Sequence, residues 1–180
     1  GPDLVIAIGG GTVLDYAKII NIIEDEKNLE YKIEKQKIIP RKKKFFLLAL
    51  PTTAGSGSEE THFAVVYYKD IKYSIAHPSL KPTLKILIPE LAFNCPTDQK
   101  LTSALDAFCQ SIESFWSKNS SSESKNYSRK AILIFIENLE KALVNNDFDA
   151  FKKVVKASNY AGKAINISKT TGCHALSYFF

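Results

Sequence analysis

Leu4-Val5-Ile6-Ala7-Ile8-Gly9-Gly10-Gly11-Thr12-Val13-Leu14-Asp15-Tyr16-Ala17-Lys18 is the stretch on which the fold turns. Leu4 to Ile8 is an unbroken apolar run, the pattern of a parallel strand buried on both faces. Three glycines follow, and then Val13, Leu14, Ala17, Ile20 and Ile23 recur at helical spacing. A glycine turn lets backbone approach a phosphate without an intruding Cβ. The helix behind it offers free N–H groups and the positive end of its dipole. The G-x-G-x-x-G dinucleotide fingerprint is absent, so the turn alone reads as either a phosphate cradle or a tight turn.

Working outward, a charged, lysine-rich connection from about 24 to 44 leads to a second strand, Phe45 to Leu50. That strand also ends in small residues, Pro51-Thr52-Thr53-Ala54-Gly55-Ser56-Gly57-Ser58-Glu59. In a parallel sheet both turns fall at the carboxyl edge, where ligands bind, and the pair favours a nucleotide. Phe63 to Tyr68 and Ile71 to Ala76, joined at Lys69-Asp70, read as a hairpin, and Leu84 to Ile88 as one more strand. Past Pro96 the strand patterns stop. Helical periodicity runs through Leu101 to Ser117, Ser124 to Val144, Phe148 to Ala164 and from Thr171 onward. The fold class expected is α/β followed by all-α, with 1–96 a nucleotide-binding portion and 97–180 the start of a helical domain.

Composition limits the function classes. In 180 residues, 24 Lys and Arg against 19 Asp and Glu give a net charge of +5, and 45% of residues are hydrophobic. This is globular composition, which excludes disordered and collagen-like classes. No apolar run reaches the ~20 residues of a membrane span and no signal-peptide pattern opens the chain, so a cytoplasmic protein is expected. Cys95, Cys109 and Cys173 lack metal or disulfide spacing and read as reduced thiols. The basic run Arg41-Lys42-Lys43-Lys44 has no interleaved aromatics, so it reads as a solvated loop and no nucleic-acid partner is expected. Met is absent and an apolar strand begins almost at once. The chain is expected to be an internal fragment of a longer protein, with Gly1-Pro2 as a cleavage scar.

Asp106 and Gln110 are four apart on a helix and share a face, and His174 and Tyr178 repeat that spacing. An acid, an amide and an imidazole could converge on a metal or a substrate carbonyl. By spacing alone they could equally be solvated polar residues and a satisfied core histidine. His62 and His77 stand apart in sequence and read as structural.

Together these segments resemble one family. Gly9-Gly10-Gly11-Thr12-Val13-Leu14-Asp15-Tyr16-Ala17-Lys18 looks like the GGGS-x-x-D-x-AK motif of the iron-containing (group III) alcohol dehydrogenases. Pro51 to Glu59 is similar to that family's PTTAGTGSE, and Ala104-Leu105-Asp106-Ala107 to its GLDA. Within the family, Ala107 to Ser117 (AFCQSIESFWS) resembles the ALCQAIESYWS of the phosphonoacetaldehyde reductases. Lys72 to Leu80, Gly162 to Thr171 and His174 to Tyr178 resemble the same subgroup.

The resemblance implies a dehydroquinate synthase-like fold, an incomplete Rossmann-like parallel sheet with a hairpin and then a helical domain. It implies an oxidoreductase using NAD or NADP and a divalent metal, iron or zinc. The substrate would be a small anionic aldehyde, phosphonoacetaldehyde reduced to 2-hydroxyethylphosphonate in phosphonate biosynthesis. Gly9, Gly10, Gly11 and Thr12 would hold the cofactor pyrophosphate, with Asp15 beside them. Thr52, Thr53 and Ser56 would line the cofactor pocket and Lys72 would reach the nicotinamide ribose. Asp106 and His174 match metal ligands. Gln110 stands where the family normally has a second histidine, and the last ligand histidine is expected beyond Phe180. Lys163 or Lys169, close in sequence to His174, is expected to bind the phosphonate dianion. Ala104 replaces a usual Gly, and Ile88 an Asp. Family members are commonly oligomeric, so a homo-oligomer is an expectation. The alternatives are a general iron-type dehydrogenase acting on neutral alcohols and a nucleotide-binding module without catalysis.

Overall fold

The computed structural model describes residues 2–23, 31, 33, 43–69 and 71–176. Most of the connection from 24 to 44, including Arg41 and Lys42, lies outside the described residues, as do Gly1, Asp70 and Tyr178.

Strand β1 (Leu4–Gly9) runs into helix α1 (Gly11–Ile22), and β2 (Phe46–Pro51) returns beside β1. The hairpin strands β3 (Phe63–Tyr68) and β4 (Ile71–Ala76) follow, then a short β5 (Leu84–Lys85). Helices α2 (Pro89–Phe93), α3 (Thr97–Trp116), α4 (Ser122–Leu143), α5 (Phe148–Ser168) and α6 (Gly172–Leu176) complete the chain. The parallel sheet has the order β1-β2-β5, and β3 pairs antiparallel with β4.

Two expectations need correction. The last strand spans two residues rather than five, and Ile86 to Ile88 lead from it into α2, which opens at Pro89. More important, β1 is covered on one face only. Ala7, Leu14, Leu47 and Ala49 form a buried cluster with Val5 and Ala17, which seats α1 on the sheet. The alternate residues Leu4, Ile6 and Ile8 are 50%, 53% and 56% exposed. Side chains alternate across a strand, and among the described residues that second face stays about half exposed.

The helices carry the larger core. Phe135, Phe151, Val154, Ala104, Ala107 and Ala161 are buried together, and Ala54 from the loop after β2 joins them. Local signals explain the boundaries. Ser121 and Ser124 form a capping box at the start of α4, and the Asp147 side chain accepts the Ala150 N–H at the start of α5. Asn146 before it has φ +52, the left-handed conformation that asparagine tolerates.

Gly57 joins the two halves. It has φ +63, and a Cβ there would lie 2.5 Å from the Gly162 Cα on α5. Only glycine serves both the conformation and the contact.

Candidate functional site

Both small-residue turns meet at one sheet edge. Gly9 and Pro51 are register partners, and the Thr52 N–H donates to the Gly9 carbonyl at 3.0 Å. A Cβ on Gly11 would sit 2.9 Å from the Ser56 Cβ, so glycine is what lets the turns nest. Gly10 caps α1 without a side-chain hydrogen bond, and the first turn of the helix carries no acidic residue. The N–H groups that begin α1 therefore have no side-chain acceptor at the cap, while Thr12 is exposed beside them.

Asp15 is tied on both oxygens. Its Oδ1 accepts from Ser58 Oγ at 2.5 Å and from Lys18 Nζ at 3.3 Å, and its Oδ2 accepts from the Val65 N–H at 2.9 Å. Lys18 is fully buried and also donates to Thr61 Oγ1 and the Phe63 carbonyl. Burial lowers the Lys18 pKa against the pull of Asp15. This network clamps the glycine-turn helix to the loop after β2 and to the hairpin.

A cavity of about 560 Å³ opens between the hairpin, that loop, α3 and the segment from α5 to α6. Asp15, Ser56, Lys72, Asp106, Gln110, Lys169 and His174 all line it. Lys72, on β4, is half-buried, and burial lowers its pKa although Tyr67, Asp106 and Asp15 oppose the shift. Gly9, Gly10, Gly11, Thr12, Thr52 and Thr53 are not among the lining residues, but the glycine turn touches the cavity wall through Ser56.

Asp106, Gln110 and Glu113 occupy positions i, i+4 and i+7 of α3, one stripe of the helix. Gln110 is buried, its Nε2 donates to Asp106 Oδ2 at 2.8 Å, and its Oε1 is buried with no hydrogen-bond partner. His174 on α6 comes to the same place, with Nε2 3.4 Å from Asp106 Oδ1. Its Nδ1 lies 3.3 Å from Glu113 Oε1, while Glu113 Oε2 accepts from both the N–H and the Oγ1 of Thr171 at 2.6 Å.

The electrostatics differ along the stripe. Desolvation raises the Asp106 carboxyl above its ordinary range, against His174 and Lys72. At Glu113 desolvation acts the same way, but the Thr171 hydrogen bonds and His174 outweigh it and hold the carboxyl below its ordinary range.

The donor set can be tested against a metal. Among the described residues no three His, Cys, Asp or Glu side chains form a cage. Asp106, Gln110 and His174 line one cavity, with His174 Nε2 3.4 Å from Asp106 Oδ1 and the Gln110 amide nitrogen turned to Asp106 Oδ2. A buried acceptor without a donor is costly unless something electropositive meets it. The Gln110 Oε1 is such an acceptor, and its amide is the weakest of the three donor types for a divalent metal.

Lys169 and Lys163 part company. Lys169 lines the cavity and has φ +61 and ψ 177, a region that is nearly glycine-only. It is held there by bonds on both sides: its N–H donates to the Ile165 carbonyl, and Ser168 Oγ donates to its own carbonyl. Ser117 Oγ grips the Ser168 carbonyl, and Ser168 Oγ meets Ser114 Oγ at 2.6 Å. Lys163 is not among the lining residues. Its Nζ lies 3.7 Å from Glu60 Oε1 and over the Tyr127 and Tyr160 rings, and the fully buried Glu60 also pairs with Lys85.

His62 bonds Asn166, and His77 accepts the Ser79 N–H at the start of a short 3₁₀ turn. Glu113 is the residue that spacing did not single out. The signal was its place on the Asp106–Gln110 stripe.

Comparison with known proteins gives consistent relatives. Residues 1–89 match the family profile described as iron-containing alcohol dehydrogenase. Residues 100–180 match the profile of the Fe-containing alcohol dehydrogenase family, C-terminal. A phosphonoacetaldehyde reductase from Streptomyces viridochromogenes is 33% identical, over 98% of this chain and 47% of that protein. An aldehyde-alcohol dehydrogenase from Streptococcus pneumoniae is 33% identical over 91% of this chain and 20% of its own length. The crystal structure of a sulfoacetaldehyde reductase from Bifidobacterium kashiwanohense in complex with NAD+ superposes with a TM-score of 0.91. It is 31% identical, over 98% of this chain and 48% of that one. The chain thus spans half or less of the length of these relatives.

Proposed function

The chain belongs to the iron-containing alcohol dehydrogenase family, and on that premise we propose that the protein carrying it is an NAD(P)-linked reductase of an anionic aldehyde. The specific reaction proposed is phosphonoacetaldehyde to 2-hydroxyethylphosphonate. The observation that carries this reading is a lysine and a polar donor set facing one cavity: Lys169 with Asp106, Gln110 and His174. The names of two relatives, a phosphonoacetaldehyde and a sulfoacetaldehyde reductase, support an anionic tail. In this reading 1–96 is the nucleotide-binding portion and 97–180 the metal and substrate portion.

Asp106, Gln110 and His174 would hold a divalent metal, iron or zinc. When bound, the metal would supply Lewis-acid polarisation of a carbonyl oxygen and the nicotinamide would supply hydride. The remaining work falls to the chain's own groups. The Gly9–Thr12 turn and the start of α1 receive the pyrophosphate with uncapped N–H groups, and Thr52, Thr53 and Ser56 flank it. Lys72 donates toward the cofactor ribose from β4. Lys169 orients the substrate by its charged tail, which sets the carbonyl end toward Asp106 and His174. Positioning of this kind lowers the barrier by removing the entropy of alignment.

The test is NAD(P)H consumption by the full-length protein with phosphonoacetaldehyde against propanal and other neutral aldehydes. A strong preference for phosphonoacetaldehyde is expected. Equal or faster turnover of the neutral aldehydes would sink the phosphonate assignment and leave the dehydrogenase one standing.

A further inference from the structure

Resting on the reading of Lys169 as the anchor of an anionic substrate tail, we infer that Ser117 is a positioning residue for Lys169, on which the preference for anionic over neutral aldehydes depends. Lys169 has φ +61 and ψ 177, a region that a residue with a Cβ keeps only when its surroundings impose it. Those angles are decided by the two planar peptide units that meet at its Cα. In the unit before it, the Lys169 N–H donates to the Ile165 carbonyl at 2.9 Å, and the Ser168 carbonyl accepts from Ser117 Oγ at 3.0 Å. In the unit after it, the Lys169 carbonyl lies 3.0 Å from Ser168 Oγ. One unit further on, the Thr171 N–H donates to Glu113 Oε2 at 2.6 Å. The turn is thus held unit by unit, and the end of α3 supplies Glu113 and Ser117 to it.

Of these contacts, the one from Ser117 has its direction fixed. A carbonyl oxygen only accepts, so the hydroxyl proton points at Ser168 while the hydroxyl oxygen takes the Asn119 N–H at 3.2 Å. The Ser168 carbonyl closes α5 and belongs to the last turn, whose carbonyls have no intrahelical partner. Ser117 is 6% exposed and Ser168 fully buried, which leaves bulk water little room to replace the hydroxyl. Without Ser117 the Ser168–Lys169 unit is held at its N–H alone, and relief of the positive φ favours its rotation. Lys169 is exposed and lines the cavity beside Thr170 and Thr171. A change of φ from positive to negative swings its Cβ to another side of the backbone and carries the ammonium off that wall.

The experiment uses the full-length protein, with steady-state kinetics on phosphonoacetaldehyde and on propanal. Ser117→Ala is expected to raise KM for phosphonoacetaldehyde about 2- to 10-fold, the usual worth of one hydrogen bond, and to leave kcat and the propanal KM unchanged. Ser168→Ala, which removes the contact on the other side of Lys169, is expected to act in the same direction. In a Lys169→Ala background Ser117→Ala should add nothing, because its effect passes through the lysine. A crystal structure of Ser117→Ala should show Lys169 out of the positive-φ region. A parallel rise of KM for propanal would mean general loosening and would overturn the inference. So would an unchanged phosphonoacetaldehyde KM in Ser117→Ala when Lys169→Ala raises it, or a Lys169 that keeps φ near +61 without the hydroxyl. If Lys169→Ala changes neither KM while Ser117→Ala still displaces Lys169 in the crystal, the anionic-tail reading fails and the hold of Ser117 on the turn stands.

Discussion

Gly57 and Gly162 touch backbone to backbone, so the loop after β2 lies directly on α5 with no side chain between them. A Cβ added to Gly162 would lie 2.8 Å from the Gly57 Cα and 3.0 Å from its carbonyl oxygen. Neither atom can yield without moving the loop that carries Ser56 and Ser58. Gly162→Ala is therefore expected to cost about 1–3 kcal/mol by overpacking. Gly172→Ala, where a Cβ would meet nothing within 4 Å, serves as the control and should change stability little. Denaturant unfolding of both variants checks this, and equal midpoints would refute the close contact.

Closing the gap between the turns should act on the cofactor. A methyl at Gly11 pushes against Ser56, displacing the first turn of α1 from the second small-residue loop. Gly11→Ala is expected to weaken NADH binding by about tenfold, or ~1.4 kcal/mol. Fluorescence titration reads the change directly, and an unaltered Kd would remove the glycine turn from the binding site.

Lys169 holds a backbone conformation that costs of order 1–3 kcal/mol outside glycine. Lys169→Gly should thus raise the unfolding midpoint while raising KM for an anionic aldehyde about tenfold or more. Lys169→Ala should show the KM effect alone, and propanal kinetics should change in neither. Lys163→Ala is expected to leave both KM values alone and to lower stability, since among the described residues Glu60 then keeps the Lys85 ion pair alone. Steady-state kinetics beside thermal melts distinguish the two lysines. A KM effect at Lys163 would reverse the assignment.

Glu59 supplies a pH test away from the donor set. It is buried, and burial raises its pKa against the Asn159 hydrogen bond at 2.9 Å and the Lys18 charge. A carboxyl whose folded pKa lies above its unfolded value favours folding below the ordinary carboxylate range. That contribution disappears as pH rises through the raised value. Glu59→Gln, neutral throughout, should therefore be more stable than the parent at neutral pH and about equal in acid. Unfolding curves from pH 4 to 8 check the sign. A constant offset across that range would mean Glu59 does not titrate as described.

Much of this architecture could be read in advance because short-range chemistry wrote it. The run Leu4 to Ile8, the glycines after it and the period of Val13, Leu14 and Ala17 each demand their local structure. The parallel sheet, the hairpin and the helical second half follow in that order. The bare face of Leu4, Ile6 and Ile8 could not be foreseen, because a strand's apolar run says what it would bury and not whether something arrives to bury it. At the site, spacing placed Asp106 and Gln110 together on one helix. Their meeting with His174 depends on a contact across 68 positions. Local pattern carries no information at that range, and the family motifs supplied the link. The same limit separates Lys163 from Lys169: proximity in sequence to His174 treats them alike, while the turn at the end of α5 sends them to different environments.

Three polar side chains are carried on one stiff rod. Asp106, Gln110 and Glu113 are spaced by helical pitch, about 1.5 Å of rise per residue, so their mutual distances do not depend on any loop. The hairpin lines another part of the cavity, while Lys169 sits on a turn tied to that rod through Ser114, Ser117 and Glu113. In the proposed reading, hairpin substitutions away from Lys72, whose charge acts on Asp106, can reshape the room for a substrate tail while leaving that rod in place. On the proposed function, a lineage can then drift from one aldehyde to another while its chemistry stands still.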